Sequence, residues 1–445
     1  MKSKLLSCWL LISVASIPPY VKANAIVENR CAISGPVNER ELVSLALACA
    51  PIVQVRQAEL SAKGQLVNAA GRFAEPKLSI AVAPESFTSD QIDEGYQLEL
   101  SQALHWPSER KLDSSLAEAT VRKSQAQLNL ERINIARRVR QAYTQWVYTR
   151  SILGESKSHL ALMKQIAKQL EAGYRSGDTA LSALLRSQQQ VLLLKQKLAD
   201  LSKQQKRNEI ALSSLTGMEN GVAKMKAVSS SGLMFLNPDS RYLNAGLARL
   251  NQHPAIANLL ANQSEVSDQL VQEKIDRRPD VTLMARYNTL WDNEDKRWVV
   301  GVAMNLPLDF SKRRAREDSL TAKADALKWQ QHDRELLLQS TLRQYFLRWQ
   351  EHFERAELYE EKLLPMANEQ LEASLADFRA GAIDFQSLLI AQQEYLQTRE
   401  DHHTTMRDLR LSRAEFIAAS GSAFLQELEI KNTVPETIET MEFAR

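Results

Sequence analysis

Histidine side chains are the first candidates for chemistry in this 445-residue chain. His402 and His403 are adjacent, and His332 and His352 lie upstream of them. Imidazole nitrogen is a common ligand of zinc, copper and nickel, so the group invites a metal reading. The surrounding residues alternate apolar and charged types at helical spacing, and histidines on such a helix are most simply surface polar residues. We therefore predict no metal site and no cofactor.

No motif in the sequence resembles a catalytic centre. We find no nucleophile elbow, no paired catalytic carboxylates and no glycine-rich phosphate loop. The formal net charge is +2, without a run rich in Lys and Arg, which gives no reason to expect nucleic acid as a partner. The sequence predicts that the protein is not an enzyme.

The first 25 residues predict a secretory signal peptide. Lys2 and Lys4 precede an apolar stretch at 5–17, and Ala23-Asn24-Ala25 ends the segment. The apolar run is too short for a transmembrane anchor. We expect the mature chain to begin at residue 26, outside the cytoplasm.

Two cysteines remain after removal of this signal, Cys31 and Cys49. An isolated pair in an oxidising compartment favours a disulfide over a metal site, because no third ligand lies nearby at a suitable spacing. A Cys31–Cys49 bridge would clip the N-terminal arm onto the first helix.

Most of the sequence consists of two copies of an internal repeat. Residues 172–192, AGYRSGDTALSALLRSQQQVL, recur as residues 376–396, ADFRAGAIDFQSLLIAQQEYL. Matched pairs outside this stretch are Pro51/Pro254, Pro76/Pro279, Arg140/Arg343, Trp146/Trp349 and Gly217/Gly421. The repeat predicts a first copy at 26–217, a linker at 218–242, a second copy at 243–421 and a polar tail at 422–445.

Each copy predicts the same order of elements. A helical segment, at about 39–72 in the first copy, leads into a β-hairpin; the two β-hairpins lie at about 77–103 and 280–305. From 107 to about 173, and from 307 to about 379, glycine and proline are nearly absent. A helix of that length would extend about 100 Å. Gly177 and Gly381 then mark turns into a second long helix. The predicted fold class is mainly α with a small β part, built from two very long α-hairpins and two β-hairpins.

The four predicted strands allow two interpretations. Their alternation and length suit tilted membrane strands, but four strands cannot close a barrel, so several copies would be needed. Aromatic residues at strand ends would then lie at the membrane interface. These residues are Tyr96, Tyr287, Trp291 and Trp298. A soluble sheet with one buried face is the alternative that alternation leaves open.

Several motifs, each present in both copies, resemble those of the TolC-like outer-membrane efflux family over about residues 40–421. They are a proline followed by a strand (AEPKLSIAV, RRPDVTLMA), a strand followed by a basic helix start (LSQALHWPSERK, MNLPLDFSKRRARE), and a tip motif of Tyr/Phe-Arg-x-Gly followed by Leu-Leu-x-x-Gln-Gln. The resemblance implies a homotrimer with a 12-stranded β-barrel in the outer-membrane lipid and an α-helical periplasmic tunnel. It also implies a periplasmic adaptor and an inner-membrane RND-type pump as partners.

By this resemblance the protein is the exit duct of a tripartite efflux system, a passive conduit opened at its periplasmic tips. The tip residues expected to meet the adaptor are Arg175, Gly177, Asp178, Arg379, Gly381 and Asp384. The sequences of the hairpins are most similar to those of the branch that serves heavy-metal cation pumps. A multidrug duct, a type I secretion duct and a periplasmic helical-hairpin adaptor or scaffold are the alternatives.

The second tip departs from the family pattern. Some members carry aspartates shortly after the second tip glycine that constrict the tunnel mouth. Here the downstream positions are Ser387 and Ile390, and the nearest acid is Asp384. We expect any gate to be built differently.

Overall fold

A computed structural model of the chain describes residues 36–83, 95–218, 226–227, 236–289, 291 and 294–424. The predicted signal peptide and Cys31 lie outside these residues, as do most of the linker and nearly all of the tail. The helices are α1 Glu39–Cys49, α2 Pro51–Ala69, α3 Pro107–Ser176, α4 Leu181–Thr216, α5 Ser240–Arg249, α6 Pro254–Ile275, α7 Phe310–Leu358, α8 Leu364–Arg379 and α9 Phe385–Ala419. The strands are β1 Pro36–Val37, β2 Lys77–Val82, β3 Tyr96–Leu104, β4 Lys226–Ala227, β5 Asp280–Asn288 and β6 Trp298–Asn305.

The first predicted helical segment is split in two. Asn38 and Glu41 form a capping box at the start of α1, with the Glu41 backbone N–H 2.8 Å from Asn38 Oδ1. Helix α1 ends at Cys49 and Pro51 begins α2, because proline lacks the N–H that would continue the first helix but is well suited to a first helical position. Cys49 takes part in a disulfide bond. Its pairing with Cys31 stays a prediction.

The two β-hairpins form one antiparallel sheet in the order β2-β3-β5-β6. Within each copy the hairpin strands pair directly, as in Ile80 with Leu98 and Leu283 with Val302. Strands β3 and β5 join the copies, with Leu100 opposite Ala285. The short strands β1 and β4 form a separate parallel pair. The long helices leave the sheet at one end.

Helix α3 runs unbroken for 70 residues, since Gly154 is the one glycine in its middle and proline occurs only at its first position. The corresponding helix of the second copy is not continuous, contrary to the prediction. A single π turn at Tyr359–Leu363 separates α7 from α8. Pro365, at the second position of α8, cannot donate to the preceding turn and its ring crowds the carbonyl four residues back, which accounts for the wider turn.

The long helices lie side by side. Helix α3 packs on α4 and on α9, and α9 packs in turn on α7 and α8. Helix α4 and the α7–α8 pair therefore lie at the two sides of this layer. Three buried clusters hold it together: one around Trp146 in the first copy, one around Trp349 in the second, and one at the hairpin tips. The predicted fold class, mainly α with two long α-hairpins and two β-hairpins, is confirmed.

Candidate functional site: the hairpin tips and the sheet

Both hairpins reverse through the same turn. Gly177 and Gly381 have φ values of 87° and 75°, in the left-handed region that favours glycine. The Gly177 N–H donates to the carbonyl of Tyr174 at 3.2 Å, and the next N–H, of Asp178, donates to Gly173 at 2.8 Å. In the second tip, the N–H groups of Gly381 and the residue after it donate to carbonyls at the same two spacings, at 3.1 and 2.8 Å. This pair of bonds is a Schellman motif, which satisfies the last carbonyls of the preceding helix.

The charged residues of the first tip are exposed. Arg175 forms an ion pair with Glu171 one turn earlier, at 2.7 Å, and 77% of its side chain is accessible. Asp178 accepts a hydrogen bond from Ser176 Oγ at 2.7 Å. Neither charge is buried, so both are available to a partner that approaches the tip.

The second tip is built differently after its glycine. Arg379 is exposed, like Arg175. Asp384 is the N-cap of α9: its Oδ1 accepts from the Ser387 N–H at 2.9 Å and from Ser387 Oγ at 2.7 Å. These two hydrogen bonds hold the pKa of Asp384 below its usual value. A docking role for the six tip residues stays a prediction.

The two tips pack against each other through an apolar cluster. Its buried members are Met163, Ile166, Leu170, Leu184, Phe385, Leu388 and Leu389. The Leu-Leu pairs of the two tip motifs differ in burial. Leu388 and Leu389 are both buried, whereas Leu185, which follows the buried Leu184, is 55% exposed. The cluster places the two tips at the same end of the molecule.

Polar contacts join the two hairpins above this cluster. Arg186 on α4 donates to Gln386 on α9 at 2.9 Å, Lys197 pairs with Glu400, and Arg399 pairs with Glu155. Burial lowers the pKa of Lys197. These contacts span helices from different hairpins, so they would break if the hairpins separated.

Glu155 is the centre of one such contact. His403 Nε2 lies 2.9 Å from Glu155 Oε1. Burial by itself would raise the pKa of this carboxyl, but the close approach of His403, together with the charge and hydrogen bond of Arg399, outweighs burial and lowers it. The carboxylate is therefore ionised and held by two side chains of α9.

The histidines do not assemble a metal site. Among the described residues, no group of three or more His, Cys, Asp or Glu side chains is placed to hold a metal ion. Burial, followed by the neighbouring His403 and Arg399, lowers the pKa of His402 to about 4. This imidazole is uncharged near neutral pH and packs beside Tyr359, with ring centroids 6.4 Å apart.

The sheet has two chemically opposite faces. On one face, neighbouring strands place apolar side chains opposite one another. This face carries Leu78, Ile80, Val82, Tyr96, Leu98, Leu100, Leu104, Val281, Leu283, Ala285, Tyr287, Trp298, Val300, Val302 and Met304. Gln102 is a polar exception, and its amide donates to the Ala74 carbonyl at 2.7 Å. Many of these side chains are exposed; Val300 is 84% accessible.

The opposite, polar face carries most of the polar side chains of the sheet, together with Ala81, Ala103, Met284, Val299 and Ala303. Its centre is an ion pair in which Arg286 Nε lies 2.8 Å from Glu99 Oε2, flanked by serine, threonine, glutamine and asparagine. Within the described residues, neither β2 nor β6 has a partner strand on its outer side. The sheet thus exposes an apolar face and two open edges.

The predicted interface aromatics lie at the end of the sheet away from the helices. Ring centroids are 6.0 Å apart for Tyr96 and Tyr287 and 5.1 Å apart for Tyr287 and Trp298. Trp291 follows β5 and is 44% exposed. Their interfacial role stays a prediction.

A second aromatic group lies at the helix end of the sheet and was not predicted. Phe73 and Phe310 are largely exposed, and Trp106 Nε1 donates to the Pro279 carbonyl at 3.2 Å. The guanidinium of Arg110 lies 4.3 Å from the Phe73 ring centroid. The signal in the sequence was an aromatic residue beside each long-helix start, in HWPSER and DFSKRR.

None of the helices in the described residues combines the length and apolar character needed to cross a membrane.

One family model matches the chain twice. The model is described as outer membrane efflux protein, and it matches residues 42–218 and 248–422, once in each copy of the repeat. A search of curated proteins finds no sequence that matches.

Solved structures show the same fold. The outer-membrane channel OprN has a TM-score of 0.70 at 17% identity, over 86% of this chain and 90% of that chain. CusC, studied for conformational changes in folding and transmembrane channel formation, has a TM-score of 0.72 at 13% identity, over 86% and 92%. The outer membrane protein VceC of Vibrio cholerae has a TM-score of 0.69 at 16% identity, over 86% and 96%.

Proposed function

The chain belongs to the outer membrane efflux protein family, and we propose that three copies of it form the exit duct of a tripartite efflux system. As a member of this family it is a passive outer-membrane conduit, not an enzyme. The observation that carries the proposal is the sheet, with its apolar face, its polar face and its two open edges.

Closure of the sheet requires further copies of the chain. Backbone groups at an open edge have no hydrogen-bonding partner in lipid, so membrane strands must form a closed barrel. Strands β2 and β6 are the two edge strands of the four-stranded sheet and run in opposite directions. Strand β6 of one copy can therefore pair antiparallel with β2 of the next. Three copies give twelve strands. The apolar face would then meet lipid, and the face with the Glu99–Arg286 pair would line the lumen.

The helical layer supports the same assembly. Large apolar side chains remain exposed on its two outer helices. On α4 these include Leu185 and Leu192, and on α7 they include Trp329 and Leu347, each at least half exposed. Contact between α4 of one copy and α7–α8 of the next would bury them and close a tunnel of helices.

The tips are the proposed docking and opening end. Arg175, Asp178 and Arg379 present charge at the end of the helices furthest from the sheet. We assign them to contact with a periplasmic adaptor, whose binding, with that of an inner-membrane RND-type pump, separates the hairpins and breaks the Lys197–Glu400 and Arg399–Glu155 contacts. The proposed cargo is heavy-metal cations, because the sequences of the hairpins are most similar to the branch of the family that serves heavy-metal cation pumps. Drugs or secreted proteins are the alternative outcomes of a deletion test.

A pair of substitutions on β6 tests the membrane assignment. Val302 lies on the apolar face and the adjacent Ala303 on the polar face. Val302→Arg would place a charge in lipid, at a cost of about 2 to 4 kcal/mol near the bilayer centre. We expect it to abolish the heat-sensitive oligomer on unboiled gels of outer-membrane fractions, whereas Ala303→Arg retains it. Equal behaviour of the two variants, or a wild-type monomer in the soluble periplasm, would overturn the proposal.

A further inference from the structure

A cavity of about 520 Å³ that is partly open to solvent lies between the two hairpins, bordered by α3 of the first and by α8 and α9 of the second. Its apolar wall is formed by Leu162, Leu371, Leu396 and the ring of Tyr395. Small-molecule sites in proteins are typically cavities of this size, lined mostly by apolar side chains with a few polar groups.

Gln392 is the polar group that the fold leaves unsatisfied there. Its side chain lines the cavity and is only 2% exposed. Within the described part of the chain, neither its amide nitrogen nor its amide oxygen has a hydrogen-bond partner. Both amide atoms have less than 1 Å² of accessible surface. A buried amide without partners is costly, so turning this side chain toward the cavity would be favoured when an occupant there can accept from its nitrogen and donate to its oxygen.

The remaining polar wall carries no net charge. Glu155 and Arg399 pair with each other. Burial, followed by the charge of Lys197, lowers the pKa of His159 to about 4, so this imidazole is neutral at physiological pH. The wall therefore favours an uncharged occupant over a charged one.

We propose that this cavity binds an uncharged organic molecule that carries an amide-like donor and acceptor on an apolar, ring-sized body. The amide of Gln392 pairs with the polar group of the occupant, and the leucines and Tyr395 contact its ring. Because the walls come from both hairpins, the occupant also stabilises the contact between them.

Three probes that share an indole ring test the charge preference: indole-3-acetamide, indole-3-acetate and tryptamine. Binding is measured by titration calorimetry on the purified full-length protein in detergent, with micelles alone as the blank. We expect a Kd on the order of 1 mM for the neutral amide, as for a ligand of this size, and affinities at least about tenfold weaker for both charged probes.

Two variants at neighbouring positions test the residue. Gln392→Leu keeps the volume but removes the amide, and should weaken binding of indole-3-acetamide about tenfold and abolish the rise in thermal midpoint that this probe causes. Gln393→Leu makes the same change at an exposed position and should leave both unchanged.

A third variant, Leu371→Trp, fills the cavity and should abolish binding of all three probes. Circular dichroism confirms that each variant is folded. Equal affinity of the three probes, binding that survives Gln392→Leu, or no binding to the folded wild type would overturn the proposal, the last result meaning that the cavity holds only water.

Discussion

The two hairpins end their first helices alike but begin their second helices differently. Gly177 and Gly381 make the same turn with the same two hydrogen bonds. Three residues later, Asp384 caps α9 with its side chain, whereas Ala180, at the matching position, leaves α4 without a side-chain cap. Both copies keep glycine at the turn, because the positive φ there disfavours other residue types.

The same difference occurs at the other end of each copy. His253 Nδ1 accepts from the Ala255 N–H at 3.1 Å and caps α6, whereas Ala50, the matching residue before Pro51, provides no side-chain cap for α2. The first copy therefore has weaker local stabilisation at two helix starts. Because α4 also lies at the side of the helical layer, its stability depends more on the neighbouring copy that we propose.

The largest effect should come from the buried tryptophans. Trp349 and Trp146 occupy matching positions and are 0% and 2% exposed. Replacement of either by Ala should lower the free energy of unfolding by about 3 to 5 kcal/mol. The loss should be greater for Trp349→Ala, since this ring lies 5.4 Å from Phe416 and also contacts Phe346 and Tyr242. Thermal unfolding followed by helical circular dichroism measures both; a larger loss for Trp146→Ala would contradict the ranking.

The turns should give the next largest effect. Valine at Gly177 or Gly381 would adopt a strained φ, at a cost of about 2 kcal/mol per turn, similar for both because their geometry is the same. We expect the double variant to lose efflux, measured as sensitivity of cells to cargo, while its outer-membrane oligomer survives.

Gly154→Ala is the control for these glycine replacements. A Cβ at this helical position would meet nothing within 4 Å, so the change should stabilise α3 by about 1 kcal/mol and leave efflux intact. Normal efflux in the Gly177→Val, Gly381→Val double variant would refute the assignment of the tips to opening.

The elements that the sequence predicted well are those indicated by local signals, such as the placement of glycine and proline and the alternation of apolar and polar residues. The scarcity of glycine and proline between 107 and 173 predicted α3, and alternation predicted the four strands, because both signals are local. Pro365 alone does not predict the break in the long second-copy helix. A proline within a helix can kink, end or widen it, and which outcome occurs depends on packing against α9.

The site was less predictable because it depends on burial. Gln188 and Gln392 occupy matching positions in the tip motif, yet Gln188 is exposed on α4 and Gln392 is buried on α9. Only the position of α9 between α3 and α8 decides this, and no residue near either glutamine encodes it. The aromatics Tyr96, Tyr287 and Trp298 were predicted at strand ends, but their ring contacts follow from strand register across the copies.

The cap formed by His253 should make the start of α6 sensitive to acid, whereas Ala50, at the matching start of α2, does not titrate. Burial, followed by the charge of Arg334, lowers the pKa of His253 to about 4, so folding favours the neutral ring that accepts the hydrogen bond. This stability is fully present above the unfolded pKa of about 6.5 and is lost as pH falls toward 4. At pH 5 the loss should be on the order of 1 to 2 kcal/mol.

His253→Asn isolates this contribution, because asparagine is a good cap that does not titrate. The difference in thermal midpoint between pH 7 and pH 5 should be smaller in this variant than in the wild type, with His159 and His402 left in place. An unchanged difference would show that His253 does not contribute to acid sensitivity.

The smallest effect should come from exchange of the caps that follow the tips. Ala180→Asp gives α4 the cap that α9 already has and should stabilise the first hairpin by about 1 kcal/mol.

Asp384→Ala should destabilise the second hairpin. Because hydrogen bonds from Ser387 lower the pKa of Asp384, its contribution is present above the unfolded pKa of an aspartate and disappears as pH falls through the lower folded value. Wild type and Asp384→Ala should therefore converge in hydrogen-exchange protection of the first turn of α9 at low pH; a difference that persisted there would mean that Asp384 stabilises the tip by something other than its charge.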